Sequence, residues 1–138
     1  MNANDVVGLI LKSPLRPLLG PTMLISVTGR RSGRLITTPV NYRRDGSTLW
    51  VLSSRDRRWW RNVAPGSRVQ LFLDGHPVSA IGEVVQDEAE VAIQLAEYVR
   101  RVPAAARALH IRLDHGTPDS QEVAKAAVGR LFMKFCLA

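Results

Sequence analysis

The chain lacks most of the features that mark secreted, membrane-spanning or metal-binding proteins. Its 138 residues include one cysteine, Cys136, so no disulfide can form within the chain. A lone cysteine is compatible with a reducing, cytoplasmic compartment, and we expect Cys136 to be a small apolar residue near a C-terminal strand. No apolar run reaches the roughly 18 residues of a membrane-spanning helix, and no signal-peptide cleavage pattern follows the first residues.

Recognisable catalytic constellations are also missing from the sequence. His76, His110 and His115 form no ligand pattern with one another or with Cys136, and His76 is expected to be a solvated turn residue. No GxSxG, HExxH or phosphate-loop motif occurs, nor a nucleophile with a base or a pair of carboxylates. We therefore expect no catalytic side chain and no metal. If the domain catalyses a reaction, a cofactor supplies the reactive atom.

Positive charge is present and is concentrated in one part of the chain. Residues 30–68 contain ten arginines against two acids, Asp45 and Asp56, an excess of eight positive charges. All other residues together carry nine basic and ten acidic side chains. Such a region favours a polyanionic partner: a phosphorylated cofactor, a nucleic acid or an anionic membrane. Every cation in it is arginine, whose planar fork suits bidentate contacts with oxyanions.

The segment Thr28–Pro39 joins two β-like runs and contains the first three of these arginines. Its glycines predict a hairpin turn. Three arginines, one serine and two glycines fall within six residues of this turn. Backbone N–H groups, a hydroxyl and guanidinium groups together suit an anion. The alternative interpretation is a solvated, positively charged hairpin tip.

Alternating apolar residues and turn signals predict an antiparallel sheet of about six strands. The strands are expected at residues 22–27, 37–44, 48–52, 69–73, 78–85 and 130–137. Pro39 cannot donate to a ladder, so the second strand should be at an edge or bulged there, with backbone groups free to meet a ligand.

Helical patterns precede and follow most of these strands. Residues 4–19 predict one or two short helices capped by Asn4 or Asp5, and the apolar start at residues 6–12 can pack on the domain or contact a lipid surface. Three more helices are expected: from Asp87 to Pro103, from Pro103 to Leu113, and from a Thr117 cap with Pro118 to Ala127. On pattern alone the fold class is α+β, with a closed or half-open barrel.

We expect one domain over residues 1–138. Its parts would be an N-terminal helical segment (1–20), a barrel core (22–85), a helical insertion (86–127) and a final strand (128–138). Within the core, Trp59 and Trp60 are adjacent on a short turn and cannot both face one core. One should be buried, and the other would pack, cover a ligand or lie in a subunit interface.

Four motifs in this core resemble those of the deazaflavin-dependent nitroreductase and quinone reductase family. They are Thr28-Gly-Arg-Arg-Ser-Gly33, Thr37-Thr-Pro39, Ser53-Ser-Arg55 and Trp59-Trp-Arg-Asn62, and the match covers roughly residues 22–85. The resemblance implies a split β-barrel that uses reduced coenzyme F-420, an 8-hydroxy-5-deazaflavin, as hydride donor, usually in actinobacteria. The acceptor would be a small electron-poor molecule such as a quinone, enone or nitro compound, and the protein would often be a homodimer. The coenzyme's phosphate and polyglutamate tail fit the basic region.

The resemblance also implies a role for individual residues. The anionic tail and phosphate would be held by Arg30, Arg31 and Ser32. The strand alongside the coenzyme would be Thr37, Thr38, Pro39 and Val40. The ring region would be met by Ser53, Ser54 and Arg55. The pocket would be closed by Trp59 and Asn62. Tyr98 lies in the region where the family places tyrosines at the acceptor, with a plain core position as the alternative. Trp60, from its place on the turn, is the second residue that we expect at the acceptor.

The sequence departs from the family pattern in several places, and other functions stay open. Ile36 stands where the family usually has arginine, Arg55 replaces a lysine, the loop between Arg55 and Trp59 is shorter, and residues 86–127 match nothing assignable. One alternative is a split-barrel oxidoreductase that binds flavin mononucleotide (FMN). Others are a non-catalytic lipid- or anion-binding member of the fold and a nucleic-acid binder, although nucleic-acid binding does not explain the order of the glycine turn and the Thr-Thr-Pro strand.

Overall fold

The computed structural model describes residues 21–138 except Arg30 and Ala64, so the helices predicted within residues 1–20 lie outside the described residues. The strands are β1 (Thr22–Thr28), β2 (Leu35–Asn41), β3 (Arg43–Asp45), β4 (Thr48–Ser54), β5 (Ser67–Leu73), β6 (His76–Val85), β7 (Leu113–Asp114), β8 (Thr117–Pro118) and β9 (Arg130–Leu137). The helices are a 3-10 helix (Trp59–Asn62), α1 (Glu88–Arg101), α2 (Pro103–Ala108) and α3 (Ser120–Ala127).

Seven strands form one antiparallel sheet, and its two edge strands follow one another directly in the chain. The strand order is β2-β1-β5-β6-β9-β4-β3, which places β2 at one edge and β3 at the other. Only Tyr42 separates these two strands, so the sheet must curl until its edges meet there. The Tyr42 N–H donates to the Pro21 carbonyl at 3.0 Å, which fixes the point where the chain crosses from one edge to the other. The expected α+β fold with a split β-barrel is confirmed.

The second predicted strand is the one that this curling divides. We expected a continuous strand over residues 37–44, and the structure breaks it at Tyr42 into β2 and β3. Pro39 lies in β2, opposite Leu24 of β1, and β2 is an edge strand as its proline requires. The hairpins predicted at Gly33 and at Asp45-Gly46 are both present, with Gly33 at φ 69° and Gly46 at φ 61°.

The two faces of the curled sheet bury two separate cores, because successive side chains of a strand point to opposite faces. The inner core is built around Met23, Ile25, Leu71, Met133 and Phe135, among others. The outer core lies between the sheet and the helices and includes Trp50, Leu95, Tyr98, Val123 and Phe132. The helices are therefore attached to the barrel by its β4–β9 side, where Phe132 contacts Trp50 edge to face with centroids 5.9 Å apart.

The helical region differs from expectation in two places. The second helix ends at Ala108 and not at Leu113, and His110 follows it with a left-handed φ of 59°. Thr117 and Pro118 do not open the third helix. They form β8, which pairs with β7 across the His115-Gly116 turn, and Asp119 is the N-cap of α3. Two-residue strands carry no alternation, so this small hairpin left no periodic signal in the sequence.

Among the described residues, no helix has both the length and the apolar character needed to span a bilayer. Nor do the described residues contain a group of three or more His, Cys, Asp or Glu side chains placed to hold a metal ion.

Candidate functional site

A cavity of about 200 Å³ lies where the edge strand β2 faces β4. Four consecutive residues of β2, Thr38 to Asn41, and four of β4, Val51 to Ser54, form two of its walls. The helical region supplies Tyr98, Ala105 and Leu109. The cavity therefore lies along the split of the barrel and is covered by the helices that pack on its outer face.

The β2 wall offers backbone groups as well as side chains. Strand β2 pairs with β1 along one edge. In the described part of the chain its opposite edge, which faces the cavity, has no partner strand. Thr38 is opposite Ile25 of the inner core. Thr37 is directed differently: its hydroxyl lies 3.0 Å from the Ser26 hydroxyl of β1, and Thr37 is not among the residues that line the cavity.

The β4 wall continues into the polar loop for which the family resemblance implies contact with the coenzyme ring. Ser53 is buried, and its hydroxyl donates to the carbonyl of Ser54 at 3.2 Å. Both serines line the cavity, together with Arg57 and Trp59 beyond them. Ser53, Ser54 and Trp59 thus come together with Thr38, Pro39 and Val40, as expected for residues that share one ligand.

Tyr98 closes the cavity from the helical side. The side chain is 3% exposed and packs against Phe132, with ring centroids 5.8 Å apart. Burial raises the pKa of Tyr98 to about 12, and the positive charge of Arg43 opposes this shift. Tyr98 therefore stays a neutral phenol at a pH at which an exposed tyrosine would ionise, because ionising it would place a negative charge in a largely apolar surrounding.

Charged side chains in the cavity are all positive. Among the described residues that line it there is no aspartate or glutamate, and there are two arginines, Arg57 and Arg130. Arg57 is exposed, whereas Arg130 is half-buried and donates to the carbonyl of Ala126 at 2.6 Å. A cavity with hydroxyls and guanidinium groups but without carboxylates suits a ligand that carries negative charge.

Arg55 lies outside this cavity lining and is held by the surrounding chain. Its Nε donates to the Arg130 carbonyl at 3.2 Å, and its terminal nitrogens donate to the carbonyl and the side-chain oxygen of Gln86. Its own N–H donates to the Gly129 carbonyl at 2.9 Å. These contacts join the loop after β4 to the segments that lead into α1 and β9.

The remaining predicted residues lie elsewhere. Arg31 and Ser32 are exposed at the tip of the β1–β2 hairpin, and Arg30 lies outside the described residues. The tip is a six-residue connection closed by the Gly29 N–H, which donates to the Arg34 carbonyl at 2.7 Å. Trp60 and Asn62 line a different surface depression together with Val84 and Gln86. Trp59 and Trp60 are both half-buried, and both pack against the inner core, so the expectation that they could not face one core and that one would be buried was wrong.

Several lining residues carried no sequence signal. Arg57 and Arg130 belong to no recognised motif, and Ala105 and Leu109 fall in residues 86–127, for which the sequence analysis found no motif. The only hint was the surplus of arginine in residues 30–68, which includes Arg57 but not Arg130.

Comparison with known proteins gives one family and a common fold. Residues 13–112, more than half of the chain, match the family described as F420H(2)-dependent quinone reductase. None of the curated proteins compared with the chain matches it in sequence.

Solved structures share the fold at low sequence identity. The conserved hypothetical protein Rv2991 of Mycobacterium tuberculosis is 12% identical, with a TM-score of 0.60 over 97% of this chain and 79% of that protein. A protein described as an F420 reductase is 13% identical, with a TM-score of 0.50 over 91% of this chain and 94% of its own. The FAD and heme binding protein of Mycobacterium smegmatis is 16% identical, with a TM-score of 0.53 over 88% of this chain and 63% of its own.

Proposed function

Because the chain belongs to the F420H(2)-dependent quinone reductase family and is therefore an oxidoreductase, we propose that it binds reduced coenzyme F-420 in the β2–β4 cavity and reduces a small electron-poor acceptor there. The acceptor class we propose is a quinone, enone or nitro compound. One observation carries the proposal: three separate family motifs, at residues 37–39, 53–55 and 59–62, each contribute lining residues to the same cavity.

The residues of the cavity fit the chemistry of such a coenzyme. The edge of β2 that has no partner strand among the described residues and the hydroxyls of Thr38, Ser53 and Ser54 can hydrogen-bond a polar heterocycle. Trp59 and Leu52 supply apolar contact area. The absence of acidic side chains from the described lining removes repulsion toward the coenzyme's phosphate and carboxylates. Thr38, Pro39, Val40, Ser53, Ser54 and Trp59 are the residues we propose to hold it.

When bound, the reduced deazaflavin supplies the hydride, and the protein has to orient the two partners and limit water. The helical wall of Tyr98, Ala105 and Leu109 is placed to cover the ligands and exclude solvent. We assign Tyr98 to the acceptor side because it lines this helical wall and not the strand walls that we propose to hold the coenzyme.

The hairpin tip would act outside the cavity. Arg31 and Ser32 are exposed and do not line it, which suits contact with a flexible, carboxylate-rich tail at the surface more than contact with the ring. We propose that these residues bind the polyglutamate tail together with Arg30. The homodimer, the cytoplasmic location and a lipid contact through residues 1–20 stay predictions that accompany this proposal.

An FMN-dependent enzyme is the second candidate, since the fold is shared with a protein described as binding FAD and heme. The phosphate of FMN would meet the arginines that line the cavity, Arg57 and Arg130, but FMN has no glutamate tail to reach the hairpin tip. Binding of coenzyme F-420 should therefore depend on Arg31 more than binding of FMN does.

A fluorescence titration of the purified protein with coenzyme F-420 and with FMN separates these candidates. We expect micromolar or tighter binding of coenzyme F-420, weakened by added salt and by Arg31→Ala, because exposed ion pairs are screened by salt and are lost with the guanidinium. Arg68→Ala, which removes an exposed arginine from β5, is the matched control and should bind as the wild type does.

Tight FMN binding with no binding of coenzyme F-420 would favour the second candidate. Equal affinity of the wild type and Arg31→Ala for coenzyme F-420 would remove the tail-binding role from Arg31. A panel of quinones, enones and nitro compounds, followed by the absorbance of the oxidised coenzyme, would then identify the acceptor.

A further inference from the structure

Two arginines of the loop after β4 differ sharply in what surrounds them. Arg55 corresponds to the lysine of the family motif and was expected at the ring region of the coenzyme. In the structure its guanidinium donates to two backbone carbonyls, those of Arg130 and Gln86, and to the Gln86 side chain. Most of its donors are thus already used by the protein itself, since a guanidinium has five N–H groups.

Arg57, two residues further on, has the opposite surroundings. It lines the cavity, its side chain is exposed, and none of the ion pairs among the described residues involves it. A residue that lines a cavity and is also exposed lies at its opening. The Arg57 N–H donates to the Ser54 carbonyl at 3.2 Å, so a backbone turn holds this arginine next to the serines of the β4 wall.

From this contrast we infer that Arg57, and not Arg55, binds the anionic part of the ligand at the opening of the cavity. The group it would bind is a phosphate or carboxylate, to which a guanidinium with no ion-pair partner among the described residues can offer two parallel donors. Arg55 instead holds the loop against the segments before α1 and β9. The inference rests on the proposed function, because it concerns the ligand of the same cavity.

The shortened loop gives the difference between Arg55 and Arg57 a structural reason. Arg55 is bound to Gly129 and Arg130 at the start of β9, so the loop turns immediately and returns at Trp59, which packs on the inner core. Between these two fixed points, Asp56, Arg57 and Arg58 are exposed. Of these three, only Arg57 lines the cavity.

The test compares Arg57→Gln, Arg55→Gln and Arg68→Gln, each of which removes one arginine charge. Two probes are titrated by fluorescence: coenzyme F-420, and a deazaflavin that lacks the phosphate and the glutamate tail. We expect Arg57→Gln to weaken binding of the full coenzyme about tenfold, to flatten its salt dependence and to leave binding of the truncated deazaflavin unchanged.

The other two variants provide the contrast. Arg55→Gln should lower the melting temperature by several degrees but keep the wild-type salt dependence of coenzyme binding, because its charge does not contact the ligand. Arg68→Gln should match the wild type in both measurements.

The inference is overturned if Arg57→Gln binds the full coenzyme as tightly as the wild type, or if Arg68→Gln weakens binding equally, since the effect would then reflect net charge alone. It is also overturned if Arg55→Gln flattens the salt dependence and Arg57→Gln does not. A wild-type protein that binds neither probe would contradict the proposed function, and with it this inference.

Discussion

Tyr98 is the side chain in the site whose protonation the fold changes most clearly. Its ordinary pKa of 10.0 is raised to about 12, first by burial, because the phenolate would lose hydration. The folded state thus favours the neutral form of Tyr98. The contribution of Tyr98 to the free energy of unfolding is fully present below pH 10 and is lost as the pH rises toward 12.

We therefore expect Tyr98 to remain un-ionised at pH 10 in the folded protein. Tyrosinate absorbance during a pH titration measures this, and the same titration in denaturant should show ordinary ionisation. Burial also raises the pKa of Tyr42, so the Tyr98→Phe variant is needed to separate the two residues. If wild type and variant lose stability identically between pH 10 and 12, the shift does not belong to Tyr98.

Residues that belong to a motif with fixed spacing are the ones whose neighbourhood the sequence could indicate. Thr38, Ser53 and Trp59 line one cavity, and their contact with a coenzyme stays a prediction. That Arg55 is held by the chain could not be predicted, because this depends on the carbonyls of Gln86 and Arg130, which are distant in sequence. Side-chain type gives the chemistry of a residue, but its partners decide whether that chemistry is available.

At the scale of elements, α1 is the helix that carries Tyr98 to the cavity, and its start depends on Asp87. The Glu90 N–H donates to the Asp87 side chain at 3.0 Å, which satisfies one of the free donors of the first turn. Glu88 and Glu90 add negative charge at the same end, where the helix dipole favours it.

Replacement of the Asp87 cap should therefore cause a measurable loss of stability. We expect Asp87→Ala to lower the free energy of unfolding by about 1 kcal/mol, seen as a decrease of a few degrees in melting temperature. Asp87→Asn is the matched control, because asparagine also caps helices, and it should retain most of the stability. An alanine variant with the wild-type melting temperature would show that the cap contributes nothing.

The elements that sequence predicted well are those with a long periodic pattern and a clear boundary. The strands around the first hairpin, the strands β4 to β6, the helix after Asp87 and the final strand all formed. The β7–β8 hairpin was missed, and Thr117 was wrongly given the cap that Asp119 provides. Threonine and aspartate both cap helices, so residue type alone could not identify the cap. The pairing of Thr117 with Asp114 places Thr117 in a strand and leaves the cap to Asp119.

For the molecule as a whole, the decisive feature is the junction of the two sheet edges at Tyr42. Sequence predicted a barrel that was closed or half-open but could not place its opening, because strand pairing between distant segments leaves no local pattern. The structure places the cavity beside this junction, between β2 and β4. The proposed ligand would thus lie at the one side of β2 that has no partner strand among the described residues.

This arrangement predicts a local pattern of hydrogen exchange. Binding of coenzyme F-420 should slow amide exchange in residues 38–41 and 51–54, since the ligand would cover both walls of the cavity. Strand β5 is the internal control because it pairs with β1 on one side and β6 on the other, so its amides should change little. Mass-spectrometric exchange with and without coenzyme measures both. Equal slowing in β5 would indicate general stabilisation and not a ligand at β2.

The side of β2 that lacks a partner strand in the described part of the chain has a consequence for how the protein behaves without a ligand. An open strand edge is a template on which another chain can add a strand, and natural proteins limit this hazard with prolines and positive charge. Here Pro39 lies within the edge, and Arg31 and Arg34 are exposed at its beginning. Ligand-free protein should consequently self-associate more readily at high salt, where the repulsion between these arginines is screened, and storage with the coenzyme should suppress that aggregation.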